Sequence, residues 1–225
     1  MQWLLSDQEI CDTGEYVSLP NLPFPIEDVP AQAQAPALPP RYYGIAELHA
    51  GASIPLGDST WQASVGPSPT VGGVVGGAWQ GIAVALAVDF SPLDVHQGNA
   101  LFPERATVES LNRLRVLAMV GYERAFGHVL VTARGGIGVD YLDARYQDLA
   151  QGTTTNESDS TVDLAVELGI AAWLRVGDDI SVGGGLSLPI ALRDQALQPA
   201  TVLPLGGGST DLAIVIGLRF ESEHR

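Results

Sequence analysis

The sequence contains no lysine; all 11 of its basic residues are arginine. Soluble β-sheets commonly carry Lys on their wet faces and edges, so this absence counts mildly against a soluble β protein, although a GC-rich genome gives the same bias. Charge of either sign is sparse, at 16% of residues, where soluble domains carry roughly 25%. The formal net charge of -15 argues against a nucleic-acid partner, because binding phosphates requires clustered positive charge. Cys11 is the only cysteine, which excludes an internal disulfide and a cysteine-based zinc site. It also lacks the small residues that precede a lipidated cysteine. No apolar run approaches the ~20 residues of a transmembrane helix. The opening MQWLLSDQEI has neither the basic nor the apolar region of a secretory leader. An export signal is therefore expected to lie outside this chain.

What is present falls into three parts. Residues 1–40 are Pro-rich and acidic, with Asp7, Glu9, Asp12, Glu15, Glu27 and Asp28 and no basic residue before Arg41. Such composition predicts extended or disordered chain: a linker, or else a plug or a peptide that docks on a periplasmic partner. From residue 41 to 220 alternating segments recur, and 221–225 form a polar tail. Strands are expected near 42–54, 70–77, 80–90, 112–123, 128–142, 162–175, 180–190 and 211–220. The tight connections are GAWQ, RAFG and VGDD. They alternate with long loops at 55–69, 91–109, 143–161 and 194–209. Long and short connections therefore emerge at opposite ends, as in barrels with short periplasmic turns and longer external loops.

In an extended chain, successive side chains point to opposite faces, and the two faces here differ sharply. One is bulky and uncharged: Leu114, Val116, Ala118, Val120 and Tyr122; Val129, Val131, Ala133, Ile137, Val139 and Tyr141; Val162 through Leu174 in steps of two; Ile180, Val182, Leu186 and Leu188. The other mixes small residues (Ala83, Ala85, Ala87, Gly136, Gly138, Gly169, Ala171, Gly183, Gly185, Gly217) with charges. Those charges are Glu47, Asp89, Arg113, Arg115, Glu123, Arg134, Asp140, Asp163, Glu167, Arg175, Arg193, Asp211 and Arg219, joined by His49. A sheet face in water has no reason to prefer Gly and Ala, whereas the inside of an eight-stranded barrel is barely wide enough for side chains. Inside it, charges must pair. The expectation is a lumen filled by an ion-pair network, with the apolar face turned to lipid. Aromatics agree: Tyr42, Trp79, Tyr122, Phe126 and Phe220 fall at the tight-turn end, where an interface girdle belongs. Phe90 and Tyr141 fall near the other rim.

The final segment TDLAIVIGLRF places Leu212, Ile214, Ile216, Leu218 and Phe220 on one face. Here the chain resembles the eight-stranded outer-membrane β-barrels, the family of the OmpA transmembrane domain, OmpX and OmpW. The resemblance covers residues 41–220 and is architectural, without a diagnostic motif. It implies an all-β, up-and-down antiparallel transmembrane barrel of about eight strands in a bacterial outer membrane. It also implies contact with outer-membrane lipid and lipopolysaccharide, and insertion by the barrel assembly machinery, which would recognise the terminal strand. The chain departs from the family pattern where ESEHR follows Phe220.

Alternatives remain at several places. SLNRLRVLAMVGYERAF also fits an amphipathic helix capped by Ser110. VGPSPTVGGVVGG, with Pro67 and Pro69, is poor strand material, and Pro189 predicts a bulge or an end. The glycine clusters GGVVGG, RGGIGVD and VGGGL lack the following helix that a phosphate cradle needs, and GLSLP lacks the second Gly of a nucleophile elbow. His128, Glu123 and His49 have no spacing that defines a triad. His49 with Glu47, Arg113 and Arg115 suggests a gated ionic pore. The acidic loop around Asp148, Glu157 and Asp159 suggests divalent cations at a lipopolysaccharide surface, and NES at Asn156 matches a glycosylation acceptor. No catalytic residue, cofactor or metal is expected. The expected function is a non-enzymatic structural or interaction role, with a periplasmic or extracellular protein partner. A narrow channel for small or apolar solutes, or a soluble lipocalin-like carrier with inverted faces, are the alternatives.

Overall fold

A computed structural model describes residues 42–56, 59–96, 106–148, 155–192 and 208–223. The Pro-rich segment and Arg193 lie outside them. Eight strands close into one barrel in sequence order: β1 (Tyr42–Leu56), β2 (Ser68–Trp79), β3 (Ile82–Leu93), β4 (Ala106–Phe126), β5 (Val129–Asp148), β6 (Thr155–Arg175), β7 (Ile180–Leu192) and β8 (Ser209–Glu223). Every neighbouring pair is antiparallel, and β8 closes on β1 with Leu48 opposite Leu218. A short helix, α1 (Ser59–Ser64), lies between β1 and β2. No helix among the described residues is long and apolar enough to cross a membrane.

The segment that also fitted a helix is β4 from Ser110 to its end at Phe126. Its alternation lets Arg113, Arg115 and Glu123 reach inward partners while Leu114, Val120 and Tyr122 face out, which a helix could not do. The turns are tighter than expected. β2 and β3 meet across Gln80 and Gly81, both at positive φ, the geometry whose twist matches paired strands; Trp79 is therefore in the strand. Several bounds move outward for one reason: a paired backbone continues beyond the apolar stripe that betrays it. The expected loop 143–161 is mostly β5 and β6, leaving only residues 149–154 between them. The expected polar tail begins as strand, Glu221 pairing with Ile45. Pro69 is tolerated near the start of β2. At Pro189 the β7–β8 ladder skips from Ser187–Ala213 to Ile190–Thr210, but β7 continues.

The outward side chains form an uncharged girdle. Leu48, Val75, Val84, Val120, Ile137, Leu168, Ile170 and Ile216 are among those more than half exposed, and Tyr42, Trp79, Tyr122 and Phe126 ring the tight-turn end with Phe220 beside them. The interior holds Glu47, Arg113, Arg115, Glu123, Asp140, Asp163, Asp211 and Arg219, all buried. A soluble carrier needs the reverse arrangement, so that alternative is excluded.

Candidate functional site: the barrel lumen

Between the tight turns and the outer mouth, the inward residues sort into layers. At the turn end Tyr43, Ile45, Ala78 and Ala83 form an apolar floor. Above it β8 delivers Arg219, which is 0% exposed, into a cage of carboxylates. Its two terminal nitrogens donate to Glu123 at 2.7 and 2.8 Å, and one also reaches Glu47 at 3.1 Å. Its Nε donates to Glu221 at 2.9 Å, and the Tyr43 hydroxyl donates to Glu123 at 2.5 Å. Arg134 closes the layer on Glu47 at 2.7 Å. A buried guanidinium with this many charge-assisted bonds is fixed in place.

The middle layer is looser. His49 and Asp89 meet at 2.6 Å, directly over Gly72, the cross-strand partner of both. A Cβ on Gly72 would run into Asp89 Oδ1 and lie 2.6 Å from the Val88 carbonyl oxygen and 2.7 Å from His49 Nε2, so glycine is required for the pair to form. Arg115 lies between Asp140 and Glu167, but only at 3.6 and 3.7 Å. Arg115 Nε and Nη2 and both Asp140 oxygens make no hydrogen bond with protein. Arg115, Glu167, His49 and Asp89 line a cavity of ≈ 60 Å³, room for a few waters beside the Arg115 guanidinium.

At the outer end Arg113 pairs with Asp211 and donates to Ser53 at 2.9 Å. The indole of Trp61, from α1, donates to the same Asp211 at 2.9 Å, and Arg113 lies 6.0 Å from the centre of its ring. Trp61 is 1% exposed and packs with Val65, Leu93, Val108, Leu111, Leu142, Ala144 and Tyr146. The segment is stitched to the end of β3 by Gly66 N–H to Asp94 and His96 N–H to Ser64. Among the described residues, side-chain contacts thus cross the lumen near each end.

The structure therefore brings Glu47, Glu123, Arg134 and Arg219 together, His49 with Asp89, Arg115 with Asp140 and Glu167, and Arg113 with Asp211. His49, Glu47, Arg113 and Arg115 make their closest contacts in three layers, yet all four line the same ≈ 60 Å³ cavity. Asp163 is inward and buried and accepts from Thr161. Arg175 has inward parity but leaves the lumen: it lies on the turn-side rim, 51% exposed, bound to Glu221 at 2.9 Å. The strand simply outruns the barrel interior there. His128 sits on the exposed β4–β5 turn, away from His49. Glu157 is bound by the Tyr146 hydroxyl at 3.0 Å, Asp159 accepts from the Ser160 amide, and no group of three His, Cys, Asp or Glu among the described residues could hold a metal. The glycine clusters lie within β2, β5 and β7, and Asn156 within β6. Sequence reasoning missed Tyr43, Trp61, Trp173 and Glu221. Parity alone assigns Tyr43 and Trp173 to the interior, since Tyr42, Ala172 and Leu174 face out; Trp61 sits in what resembles loop.

No protein-family profile matches the chain, and no curated protein matches its sequence. Solved structures do match its shape. A major outer membrane protein from Thermus thermophilus aligns over 79% of this chain and 99% of its own, at 14% identity and a TM-score of 0.52. Neisserial surface protein A aligns over 80% and 96%, at 11% identity and 0.44. The N-terminal β-barrel domain of Pseudomonas aeruginosa OprF aligns over 81% and 98%, at 8% identity and 0.41. At such identities the likeness concerns the fold: a closed, antiparallel, up-and-down barrel of eight strands, the architecture of outer-membrane barrel proteins.

Proposed function

We propose that this chain is an integral protein of a bacterial outer membrane with a non-enzymatic role. The barrel is the anchor, and the extensions of β4, β5 and β6 on the long-loop side meet the outside. The observation that carries this is the girdle: all around the barrel, the outward side chains between the two aromatic rims are apolar and uncharged. Exposed apolar surface of this extent is unsustainable in water and is what hydrocarbon requires. Strands of 20 and 21 residues exceed the roughly 9–11 needed to cross, so the excess stands clear of the bilayer. Insertion would depend on the terminal strand Leu212–Phe220 and its assembly partner, and the rims would contact lipid and lipopolysaccharide.

Cell fractionation is the test. The protein should pellet with outer membranes, require detergent for extraction, and migrate differently on gels before and after boiling. Recovery as a monomer in plain buffer overturns the proposal. A change in lipid A mass between cells with and without the protein would assign an enzymatic role instead. Steady conductance of the unaltered protein in planar bilayers would assign the channel.

A further inference from the structure

The two ends of the lumen are closed by different kinds of structure. The turn end is crossed by the wall itself: Tyr43, Glu47, Glu123, Arg134, Arg219 and Glu221 are strand residues, tied by six polar contacts over an apolar floor. The outer end is closed by a segment that is not part of the wall. Trp61 enters from α1 and is joined to the lumen by its hydrogen bond to Asp211, with Arg113 beside the ring. Between the two lies the ≈ 60 Å³ cavity. Arg115, which lines this cavity, keeps two donor nitrogens without a protein acceptor, so the lumen leaves polar room that packing alone would have filled.

Charge adds a second constraint. Leaving Asp163 aside, the described interior holds six carboxylates (Glu47, Asp89, Glu123, Asp140, Glu167, Asp211) against four guanidinium groups (Arg113, Arg115, Arg134, Arg219). His49 offsets at most one of the difference. Walled by hydrocarbon, an excess of negative charge must be met by cations or by protons. The long-loop side presents Asp94, Glu109 and Glu157, all exposed, with Arg145 the one exposed described Arg there, and a negative mouth raises the local concentration of cations.

We propose that the lumen is a blind chamber for small cations that opens only to the outside, with Trp61 as its stopper and Asp211 as the catch. The turn end stays shut. This goes beyond the anchoring role and does not depend on the partner met by the loops.

The test is chemical access to the chamber. In a Cys11→Ser background, Ala87→Cys places one thiol on the cavity wall. Labelling by a quaternary-ammonium methanethiosulfonate and by its sulfonate counterpart is followed in detergent, each rate normalised to free cysteine. Trp61→Ala should speed labelling about tenfold, as expected for loss of a local closing contact, with the cationic reagent faster. Asp211→Asn should give a smaller acceleration and Trp61→Phe little. Tyr43→Phe, at the turn end, should give none. Unchanged labelling in Trp61→Ala protein that keeps its boiling-dependent gel shift overturns the stopper; if that variant does not fold, unchanged labelling in Asp211→Asn does so. Equal normalised rates for the two reagents mean that the excess charge is met by protons and overturn the cation preference. Acceleration by Tyr43→Phe overturns the blind end.

Discussion

Strand β5 passes through two regions that obey opposite rules. From Val129 to Tyr141 its outward side chains are aliphatic or aromatic while Thr132, Arg134 and Asp140 point inward. Beyond that the outward positions are Asp143, Arg145 and Gln147, and the inward ones are Leu142, Ala144 and Tyr146. β4 makes the same exchange, with Arg113 and Arg115 inward below and Leu111 and Val108 inward above. The backbone pairing hardly changes across the boundary; β4 and β5 stay in register from Phe126 opposite Val129 up to a shift at Val108. What changes is the solvent outside. On the proposed outer-membrane reading, the wall of the girdle faces hydrocarbon, where polar groups can be satisfied only inside. In the cap it faces water, and the inner face is an ordinary core completed by Trp61 and Val65. The folding code of each region is the inverse of the other, written on continuous strands.

That comparison predicts where a substitution is costly. The largest effect is expected inside the girdle, where charges have no water to fall back on. Arg219→Met strips Glu123 of two bonds and Glu47 of one, and leaving buried charge uncompensated costs about 3–5 kcal/mol. Urea unfolding in lipid vesicles should show it. Adding Glu123→Gln to Arg219→Met should recover part of the loss, whereas simple loss of packing would not be repaired by a second polar change. Next comes the girdle's outer face: Ile137→Arg should cost about 2–4 kcal/mol in the same assay, the depth-dependent penalty for a cation against mid-bilayer hydrocarbon.

The girdle was legible because its signal is long and redundant. Leu212 to Phe220 and Val162 to Leu174 repeat one alternation with no charge on the bulky face, and the small or charged residues between them have no use in water. The cap was not legible, for the reason the two regions differ. Past Tyr141 the alternation persists but its phase reverses, so Asp143 and Arg145 look like the start of a loop when judged against the stripe before them. Trp61 was invisible for another reason: its hydrogen bond to Asp211 spans 150 positions in sequence. Inward charges could be assigned to the lumen by parity, but not to layers. Which Arg meets which carboxylate depends on strand stagger, and Arg175 shows that parity does not say where the interior ends.

A smaller effect belongs to the middle layer. Gly72→Ala should cost about 1–3 kcal/mol, the usual range for overpacking. The new methyl meets the Asp89 carboxylate most closely, then the Val88 carbonyl oxygen and the His49 ring. The two side chains can turn aside once their pair is broken, but the carbonyl cannot without disturbing the ladder to β3. Adding His49→Ala to Gly72→Ala should therefore recover only part of the loss; full recovery would mean that the backbone contact does not matter.

The smallest effect tests the comparison most directly. Arg145 occupies the same outward face of β5 as Ile137, eight positions further along, and is 69% exposed with a 3.9 Å contact to Asp143. An exposed pair at that distance contributes little, and surface substitutions of this kind stay within about 0.5 kcal/mol. Arg145→Ile should leave urea unfolding nearly unchanged, while Ile137→Arg, the reverse exchange on the same face, should not. If the boundary lay higher than Tyr141, Arg145 would sit against headgroups or acyl chains, and Arg145→Ile would stabilise the protein in vesicles. A series of single Arg substitutions at the outward positions Ile137, Val139 and Tyr141 should show the penalty falling toward zero over that interval. The position at which it vanishes marks where hydrocarbon gives way to water, and that position should coincide with the place where the inward residues change from Asp140 to Leu142.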